Sequence, residues 1–336
     1  MLKSLSEISG VSGFCSPIRE FILENIKSGE VTVDNLGNII VYKKGKSSDK
    51  KVMFCAHMDE VGFMVTKITE GGYIKFTSCG GIDERVIVSK RVLIGDKKIP
   101  GVIGYKAVHL QKKDERTKRV EEKNLSIDIG AENKEEAEKM VSIGDYITFD
   151  TKFSFFGDGF MKGKALDDRA GCAVLLKLLE KDYPYDFYGV FSTCEEIGGI
   201  GARAAAKKIK PHMALVLEGT TCSDVYGCEE RDYVTKLGDG VAIAIRDRSM
   251  IANRKMVDFL THLADENGIK WQYKKSISGG TDGGAIHLAA GGIPTAVMAL
   301  PVRYIHSPVS VASVSDYKEF LSLAEIFADN VKGVLL

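Results

Sequence analysis

Hydrophobic positions repeat along this chain in two ways, and each predicts a different kind of element. Near-continuous apolar runs predict strands that are covered on both faces, and they lie at 52–56, 190–194 and 214–217. Apolar residues at 3.6-residue spacing predict helices, at 168–180, 201–208, 250–266 and 317–331. A Ser-Pro pair at Ser16 opens a further predicted helix. The alternation of helices and strands predicts an α/β sheet domain.

Residues 62–152 show a different pattern, in which short apolar segments are punctuated by glycine. Strands are predicted at 73–76, 86–88, 92–94, 102–105 and 146–149. One helix interrupts them, with Asn133 as its N-cap and Glu136 three residues later. We therefore expect a small β-rich domain at 62–152, inserted into an α/β domain that is formed by 1–61 and 153–336.

Composition narrows the class of protein but does not select a partner. The chain has 336 residues, and its 46 Lys and Arg balance its 46 Asp and Glu, so net charge predicts no binding to nucleic acid or to an anionic membrane. The seven cysteines form no CxxC pair, which favours free thiols in a reducing compartment. Because no apolar run of about eighteen residues and no signal-like start occur, we expect a cytoplasmic protein.

Two short segments place candidate metal ligands beside buried elements. His57 and Asp59 stand two residues apart at the end of a predicted strand, so strand alternation puts both side chains on one side. A carboxylate there can hold one imidazole nitrogen and leave the other for a metal. Alone, the pair is better explained by a histidine that simply ends a strand. Asp167 and Asp168 precede an apolar helix, where they predict either metal ligands or an N-cap with a first-turn acid.

Three more acids and a second histidine follow the other predicted strands. Glu195 and Glu196 are adjacent, and because neighbouring strand residues face opposite ways, we expect one to bind metal and the other to transfer protons. Glu218 and His306 each end a further apolar run. Ligands of open α/β sheets bind outside the carboxyl ends of the strands, where all these residues are expected. Their joint occurrence predicts a site for two divalent metal ions.

One segment supports an alternative function. Residues 199–204 imitate a dinucleotide-binding loop, because they follow a strand and open a helix, and Glu218 ends the next strand. A nicotinamide-dependent oxidoreductase is therefore a second hypothesis. Against it, Glu195 and Glu196 would place two negative charges beside the pyrophosphate that the helix N-terminus should attract. A third possibility, an assembly protein without catalysis, is disfavoured by the complete set of ligands.

Several motifs together resemble one known family. They are AHMDEVGF at 56–63, GKALDDR at 163–169, EE at 195–196, SGGTD at 278–282 and IHSP at 305–308, with GGID at 80–83 in the insert. The set resembles the glutamyl or tetrahedral aminopeptidases, a family of cytosolic dinuclear metallopeptidases, over essentially the whole chain. The resemblance implies a mixed-sheet, phosphorylase/hydrolase-like metallopeptidase domain with an inserted β-rich, PDZ-like dimerisation domain.

The resemblance also implies a metal-binding role for five residues. Asp167 would bridge two divalent ions, His57 and Glu218 would complete one site, and Glu196 and His306 would complete the other. Zinc and cobalt are the expected metals and manganese is possible, because histidine and carboxylate ligands accept all three. Many relatives carry Asp in place of Glu218, so the coordination of that metal is open to change.

The same resemblance implies the chemistry. Asp59 would orient His57, a cis peptide bond would join Asp167 to Asp168, and Glu195 would be the general base acting on a water between the metals. The expected reaction is removal of N-terminal residues from short peptides. A metal-dependent deacylase on the same scaffold is an alternative.

The resemblance further implies self-association, most simply as a dodecamer made of dimers. The segment Gln111–Asn124 is highly charged and lacks apolar periodicity, which is typical of a solvated loop. We expect it to lie at or near a boundary between subunits, because the short strands of the insert leave edges that pairing would cover.

Overall fold

The structure is a computed structural model that describes residues 1–47, 50–277 and 279–334. Over these residues the chain forms eight α-helices and seventeen β-strands. The helices are α1 (Leu2–Glu7), α2 (Ser16–Asn25), α3 (Lys134–Met140), α4 (Leu166–Leu178), α5 (Ile200–Ile209), α6 (Arg254–Glu266), α7 (Asp282–His287) and α8 (Val314–Asn330). The strands are β1 (Glu30–Val33), β2 (Ile39–Lys43), β3 (Lys51–His57), β4 (Gly62–Ile68), β5 (Ile74–Cys79), β6 (Arg91–Ile94), β7 (Ile99–Gly104), β8 (Ser126–Asp128), β9 (Tyr146–Phe149), β10 (Ser154–Phe156), β11 (Phe160–Gly163), β12 (Asp186–Ser192), β13 (Met213–Cys222), β14 (Val241–Ala244), β15 (Trp271–Tyr273), β16 (Thr295–Arg303) and β17 (Ser310–Ser313).

Eleven strands form one mixed sheet, which confirms the predicted α/β class. The strand order is β1-β2-β12-β3-β13-β16-β17-β11-β10, and β14 and β15 continue from β16. The central strands β12, β3, β13 and β16 are parallel, whereas β2, β14 and β17 pair antiparallel to this group. Residues 52–57 of β3 are all buried, as expected for a strand that is covered on both faces.

Helices pack on the parallel strands in two groups, α4 with α6 and α8, and α5 with α7. Aromatic side chains join the first group to the sheet. Phe54 of β3 stacks on Phe187 of β12 with ring centroids 4.9 Å apart, and its ring meets Phe327 of α8 edge-on at 6.2 Å. Such contacts bury large apolar areas and favour these two geometries. These contacts attach α8 to the buried face of the sheet.

Strands β4 to β9 form a separate closed barrel in the order β4-β5-β8-β7-β6-β9. The barrel has its own hydrophobic core, in which Phe63 meets Phe76 and Phe149 edge-on. The predicted cap of α3 is confirmed, since the Asn133 side chain accepts a hydrogen bond of 2.9 Å from the Glu136 backbone N–H. Because closure pairs the edge strands with each other, the barrel leaves few backbone groups unpaired. The open strand edges that we expected from the sequence, and gave as a reason for pairing of subunits, are therefore absent from the barrel, whose six strands lie within the described residues 50–277.

Three details of the sequence interpretation are wrong. Residues 86–88 form turns instead of a strand, because Val86 N–H donates to the Asp83 carbonyl and Ser89 has a φ of 63°. The strand predicted at 190–194 ends at Ser192, so side-chain alternation does not describe Glu195 and Glu196. The strand predicted to end before Glu218 continues to Cys222, so this residue lies inside β13.

The register of β13 explains why Glu218 still reaches the end of the sheet. Val216 is aligned with Cys55, the last recorded pair between β13 and β3, and β3 ends at His57 while β13 continues. Two residues further along both strands, Glu218 and His57 are therefore at the same level. Because β13 extends beyond the end of β3, Glu218 inside β13 lies beside His57 at the end of β3.

The charged segment of the insert contains three short 3-10 turns, at Val108–Leu110, Glu115–Thr117 and Glu122–Asn124. Among the described residues, no helix combines the length and the apolar character that crossing a bilayer requires. Ser278 of the SGGTD motif lies outside the described residues.

Candidate metal centre

Asp167 stands between two histidines at the carboxyl end of the sheet. Its Oδ1 lies 3.4 Å from Nε2 of His57, and its Oδ2 lies 3.4 Å from Nε2 of His306. Each oxygen of this one carboxylate therefore faces a different imidazole. This is the arrangement that a carboxylate shared by two cations requires.

Each imidazole also has a neighbouring carboxylate of its own. His57 Nε2 lies 3.4 Å from Oε2 of Glu218, and His306 Nε2 lies 3.2 Å from Oε2 of Glu196. Ligand atoms of His57, Asp167 and Glu196 lie within 4.8 Å of one another, as do those of His57, Asp168 and Glu218. His306 is in neither group but contacts Asp167 and Glu196, so the structure brings together all five residues predicted as ligands.

Backbone carbonyls hold the far side of both imidazoles. Nδ1 of His57 lies 3.1 Å from the Asp59 carbonyl oxygen, and Nδ1 of His306 lies 3.0 Å from the Gly81 carbonyl oxygen. Because a carbonyl only accepts hydrogen bonds, each Nδ1 must carry the proton that is donated. In the neutral form of each ring, Nε2 then carries the lone pair on the side of the carboxylates, which is the tautomer that a metal ligand needs.

Asp59 contacts His57 differently from the way predicted. Its carboxylate Oδ1 lies 3.7 Å from Nδ1 of His57, which is longer than the contact made by its own carbonyl. The carboxylate instead accepts hydrogen bonds from Ser12 Oγ at 2.5 Å and from the backbone N–H groups of Glu195 and Glu196 at 3.1 and 3.3 Å. Asp59 therefore fixes the position of the two glutamates as well as that of the histidine.

Asp168 has a buried carboxylate that accepts hydrogen bonds from the backbone of two other residues. Its Oδ2 accepts from the His57 N–H at 3.1 Å, and its Oδ1 accepts from the Gly171 N–H at 2.9 Å. The peptide bond between Asp167 and Asp168 is cis, as the family resemblance implies. Asp168 thus ties the start of α4 to the end of β3, on which His57 stands.

The carboxylates of this site are crowded and strongly desolvated. Burial raises the pKa of Glu196 to about 8, against the attraction of His306. Burial also raises the pKa of Glu195 well above its ordinary value, and neighbouring Glu218 adds to the effect. Such shifts mean that the buried groups carry more negative charge than their surroundings can balance.

The pKa values of both imidazoles are also raised, here because the neighbouring carboxylates favour the protonated ring. Burial lowers the pKa of His306, but Glu196 and Asp167 more than reverse this and raise it to about 9. For His57, burial again lowers the pKa, while Glu218, Asp167 and Asp59 raise it well above the ordinary value. Two imidazoles cannot neutralise the surrounding carboxylates, so the donor set and its charge both fit divalent cations.

An open cleft of about 650 Å³ lies beside the candidate ligands. Glu195, Glu196 and His306 form part of its wall, together with the glycine turn at 279–280. Two further residues of this wall, Arg203 and Arg248, are not predicted from the sequence. No sequence motif marks either arginine, because they come from separate segments that only the fold brings together.

A second cluster of buried charged residues lies next to the site. It too is not predicted from the sequence. Lys164 Nζ donates to both carboxylate oxygens of Glu60, at 2.6 and 2.7 Å, and Arg169 Nη2 lies 3.7 Å from the same carboxylate. Glu60 also accepts from Gly10 N–H at 3.0 Å and from Thr148 Oγ1 of the barrel at 3.1 Å. We call Glu60, Lys164 and Arg169 the paired cluster.

The local structure around residues 199–204 argues against dinucleotide binding. The N–H groups of Ile200 and Gly201, at the start of α5, donate to the carbonyls of Cys194 and Thr193 at 3.3 and 3.0 Å. These are the groups that would have to bind a pyrophosphate. They are already engaged within the chain.

A model of the M42 glutamyl aminopeptidase family matches residues 37–323. A glutamyl aminopeptidase from Lactococcus lactis subsp. cremoris is 32% identical over 329 residues, covering 94% of this chain and 91% of the relative. A lysyl aminopeptidase from Pyrococcus furiosus is 30% identical over 343 residues, covering 99% and 97%. Among solved structures, the chain resembles the TET1 peptidase of Pyrococcus horikoshii, which can assemble into a tetrahedron or a large octahedral shell. The identity is 31% and the TM-score 0.87, and 98% of each chain is covered.

Proposed function

This chain belongs to the M42 glutamyl aminopeptidase family and is a peptidase, and from that premise we propose that it removes single N-terminal residues from short peptides with the help of two divalent metal ions. One observation carries the proposal. The two oxygens of Asp167 face the Nε2 atoms of His57 and His306 at the same distance, 3.4 Å. This symmetry supports two cations that share one carboxylate.

We assign the ligands by their nearest contacts. His57, Glu218 and Asp167 would hold one ion, and His306, Glu196 and Asp167 would hold the other. Zinc or cobalt, and also manganese, suit this mixture of imidazole and carboxylate. When bound, the ions would supply Lewis acidity to the scissile carbonyl and lower the pKa of water.

Glu195 is the proposed general base. It lines the cleft, and Asp59 accepts a hydrogen bond from its backbone N–H, which fixes the main chain of Glu195 beside the cleft. Burial raises its pKa well above the ordinary value, which makes the carboxylate a better acceptor of a proton from water at neutral pH. After accepting that proton, Glu195 can donate it to the leaving amine.

The negative charge at the cleft wall also favours an exopeptidase. A free α-amino group is positive at neutral pH, and the Glu195 carboxylate, which is not a proposed metal ligand, attracts it to the end of the cleft. An internal peptide bond brings no such charge. We therefore expect cleavage of the first residue only.

We further propose that the inserted domain predicted at 62–152, whose strands form the barrel and which we take to be PDZ-like, pairs subunits of a homo-oligomer. Support comes from the TET1 relative, which assembles into closed shells. A dodecamer made of dimers is the expected form. Its hollow interior would admit short peptides and exclude folded proteins.

Metal stoichiometry and substrate range test the proposed function together. The purified protein is stripped with a chelator, analysed for metal content, and then reloaded with zinc, cobalt or manganese. Reporter substrates with a free amino terminus are compared with their N-acetylated forms, which a deacylase would attack. We expect about two ions per chain and hydrolysis of the free substrates alone. Full activity in the stripped protein, or one ion per chain, would contradict the dinuclear assignment.

A further inference from the structure

Two arginines face the substrate cleft from different parts of the chain. Arg203 lies in the first turn of α5, and Arg248 lies in the segment between β14 and α6. Both line the cavity that Glu195 and His306 also line, and both are exposed. The cleft next to the proposed metal site therefore carries two guanidinium groups.

Neither guanidinium is neutralised by the part of the chain that the structure describes. Neither makes an ion pair or a side-chain hydrogen bond with residues 1–47, 50–277 or 279–334. Arg203 has no acid one turn away on α5, where Lys207 stands instead. The neighbouring turn of α5 therefore supplies no carboxylate that would pair with Arg203.

The acid that stands next to Arg248 in the sequence is committed elsewhere. Asp247 Oδ1 accepts from Ser249 N–H at 2.6 Å and from Met250 N–H at 2.8 Å, and its Oδ2 accepts from Thr281 Oγ1 at 3.1 Å. Arg248 N–H in turn donates to the Gly279 carbonyl at 2.9 Å. These bonds fix the loop that presents Arg248, so its charge is held at the cleft by an ordered backbone.

Family membership does not settle which charge a substrate should bring. The family is named after glutamyl aminopeptidases, yet the relative from Pyrococcus furiosus is a lysyl aminopeptidase. Its identity to this chain, 30%, is similar to the 32% of the glutamyl aminopeptidase from Lactococcus lactis. The preference has to be determined from the residues that line the cleft of this chain.

Resting on the proposed function, we infer that Arg203 and Arg248 select substrates that bring a carboxylate into this cleft. The guanidinium group binds carboxylates in a planar, two-point geometry. A lysine side chain placed there would instead meet two like charges. Without the arginines, the charged group that an acidic substrate would meet at this wall is the Glu195 carboxylate, which repels it, so the preference depends on the arginines.

A substrate carboxylate can come from an N-terminal Asp or Glu side chain or from the C-terminus of a very short peptide. Both sources are tested in the metal-loaded enzyme. Reporter substrates with Glu and Gln at the N-terminus have no peptide C-terminus and compare the side chains alone. For the C-terminal carboxylate, dipeptides with a free C-terminus are compared with the same dipeptides carrying an amidated C-terminus.

For at least one source we expect kcat/KM to be about tenfold higher with the carboxylate than with its amide, the size of one charge-assisted hydrogen bond. The ratio should fall towards one in Arg203→Ala and Arg248→Ala, and in high salt, which screens exposed charges. In Arg248→Glu a reporter with N-terminal Lys should become the better substrate. Lys207→Ala, on the same helix, and Arg246→Ala, on the same loop, are matched controls outside the cleft wall and should keep the wild-type ratio.

Binding separates this inference from the proposed function. Calorimetry measures the affinity of glutamate-containing and glutamine-containing peptides for the wild type and the arginine variants, independently of turnover. Tighter binding of the carboxylate form that disappears in the arginine variants supports the inference even if no reporter is hydrolysed. Hydrolysis and binding that are indifferent to the carboxylate, or equal ratios in wild type and both alanine variants, would overturn the inference and leave the peptidase assignment intact.

Discussion

The paired cluster around Glu60 and the ligand cluster around Asp167 are built from neighbouring residues, yet they balance their charge differently. Glu60 directly follows Asp59, and Lys164 precedes Asp167 by three positions. In the paired cluster, Lys164 contacts both oxygens of Glu60. In the ligand cluster, carboxylates outnumber imidazoles.

The difference shows what a buried carboxylate requires. Taking a charge out of water costs several kcal/mol, and a partner of opposite sign must offset that cost. For Glu60 the protein supplies the partner. For Asp167, Glu196 and Glu218 the protein supplies too little positive charge, so the missing part is best provided by cations. The Glu60 carboxylate is paired within the chain, whereas the ligand cluster lacks positive charge that bound cations would supply.

The largest test of this contrast removes the shared carboxylate. Asp167→Ala should release both metals and lower peptidase activity by about four orders of magnitude or more, because both proposed sites lose a ligand. Elemental analysis and a reporter assay provide the measurements. Asp158→Ala, which removes an exposed acid in the turn between β10 and β11, is the control and should leave both readings unchanged. Retention of two ions in Asp167→Ala would refute the bridging role.

A second test separates a base from a ligand within the adjacent glutamates. Glu195→Gln should keep both metals but lose roughly two to four orders of magnitude in kcat, because it removes a proton acceptor and not a ligand. Glu196→Gln should instead lose metal. If Glu195→Gln loses metal and Glu196→Gln keeps it, the roles of the two glutamates are reversed.

The third test turns the paired cluster into an unpaired one. Glu60→Gln leaves Lys164 and Arg169 buried without a carboxylate, so the free energy of unfolding should fall by about 3–5 kcal/mol. The double variant Glu60→Gln, Lys164→Met should regain part of that loss. Glu180→Gln, which breaks the solvent-exposed contacts with Lys27 and Lys177, is the comparison and should cost far less. Urea denaturation measures all three. Equal losses for Glu60→Gln and Glu180→Gln would mean that burial does not matter here.

The smallest expected effect is a dependence of stability on pH. Burial lowers the pKa of Lys164 to about 8 from 10.5, although Glu60 opposes the shift and Arg169 adds to it. Between these two values the unfolded chain binds more protons at this lysine than the folded chain. Its contribution to the free energy of unfolding therefore rises with pH, by up to about 3 kcal/mol. Relative to the double variant above, the wild type should gain stability from pH 8 to 10.5, and a flat difference would contradict this.

Much of the fold was predictable because local patterns report burial. The continuous apolar run of β3, the cap at Asn133 and the periodicity of α8 each reflect a local requirement for a covered strand, a satisfied helix end or an apolar face. The barrel was recognised only as a short-stranded region. Its closure depends on the pairing of β4 with β9, which are far apart in the chain.

The sequence alone determined which residue types the candidate site contains, since His57, Asp167, Glu196, Glu218 and His306 all stand at or beside the ends of apolar segments. How these residues face each other is set by tertiary packing alone. The position of Glu218 depends on the register of β13 against β3, and the tautomer of His306 depends on a carbonyl from the barrel. Arg203 and Arg248 became neighbours of the site only by folding. Local patterns report which residues are buried, whereas distances between segments are set by long-range packing that no local pattern contains.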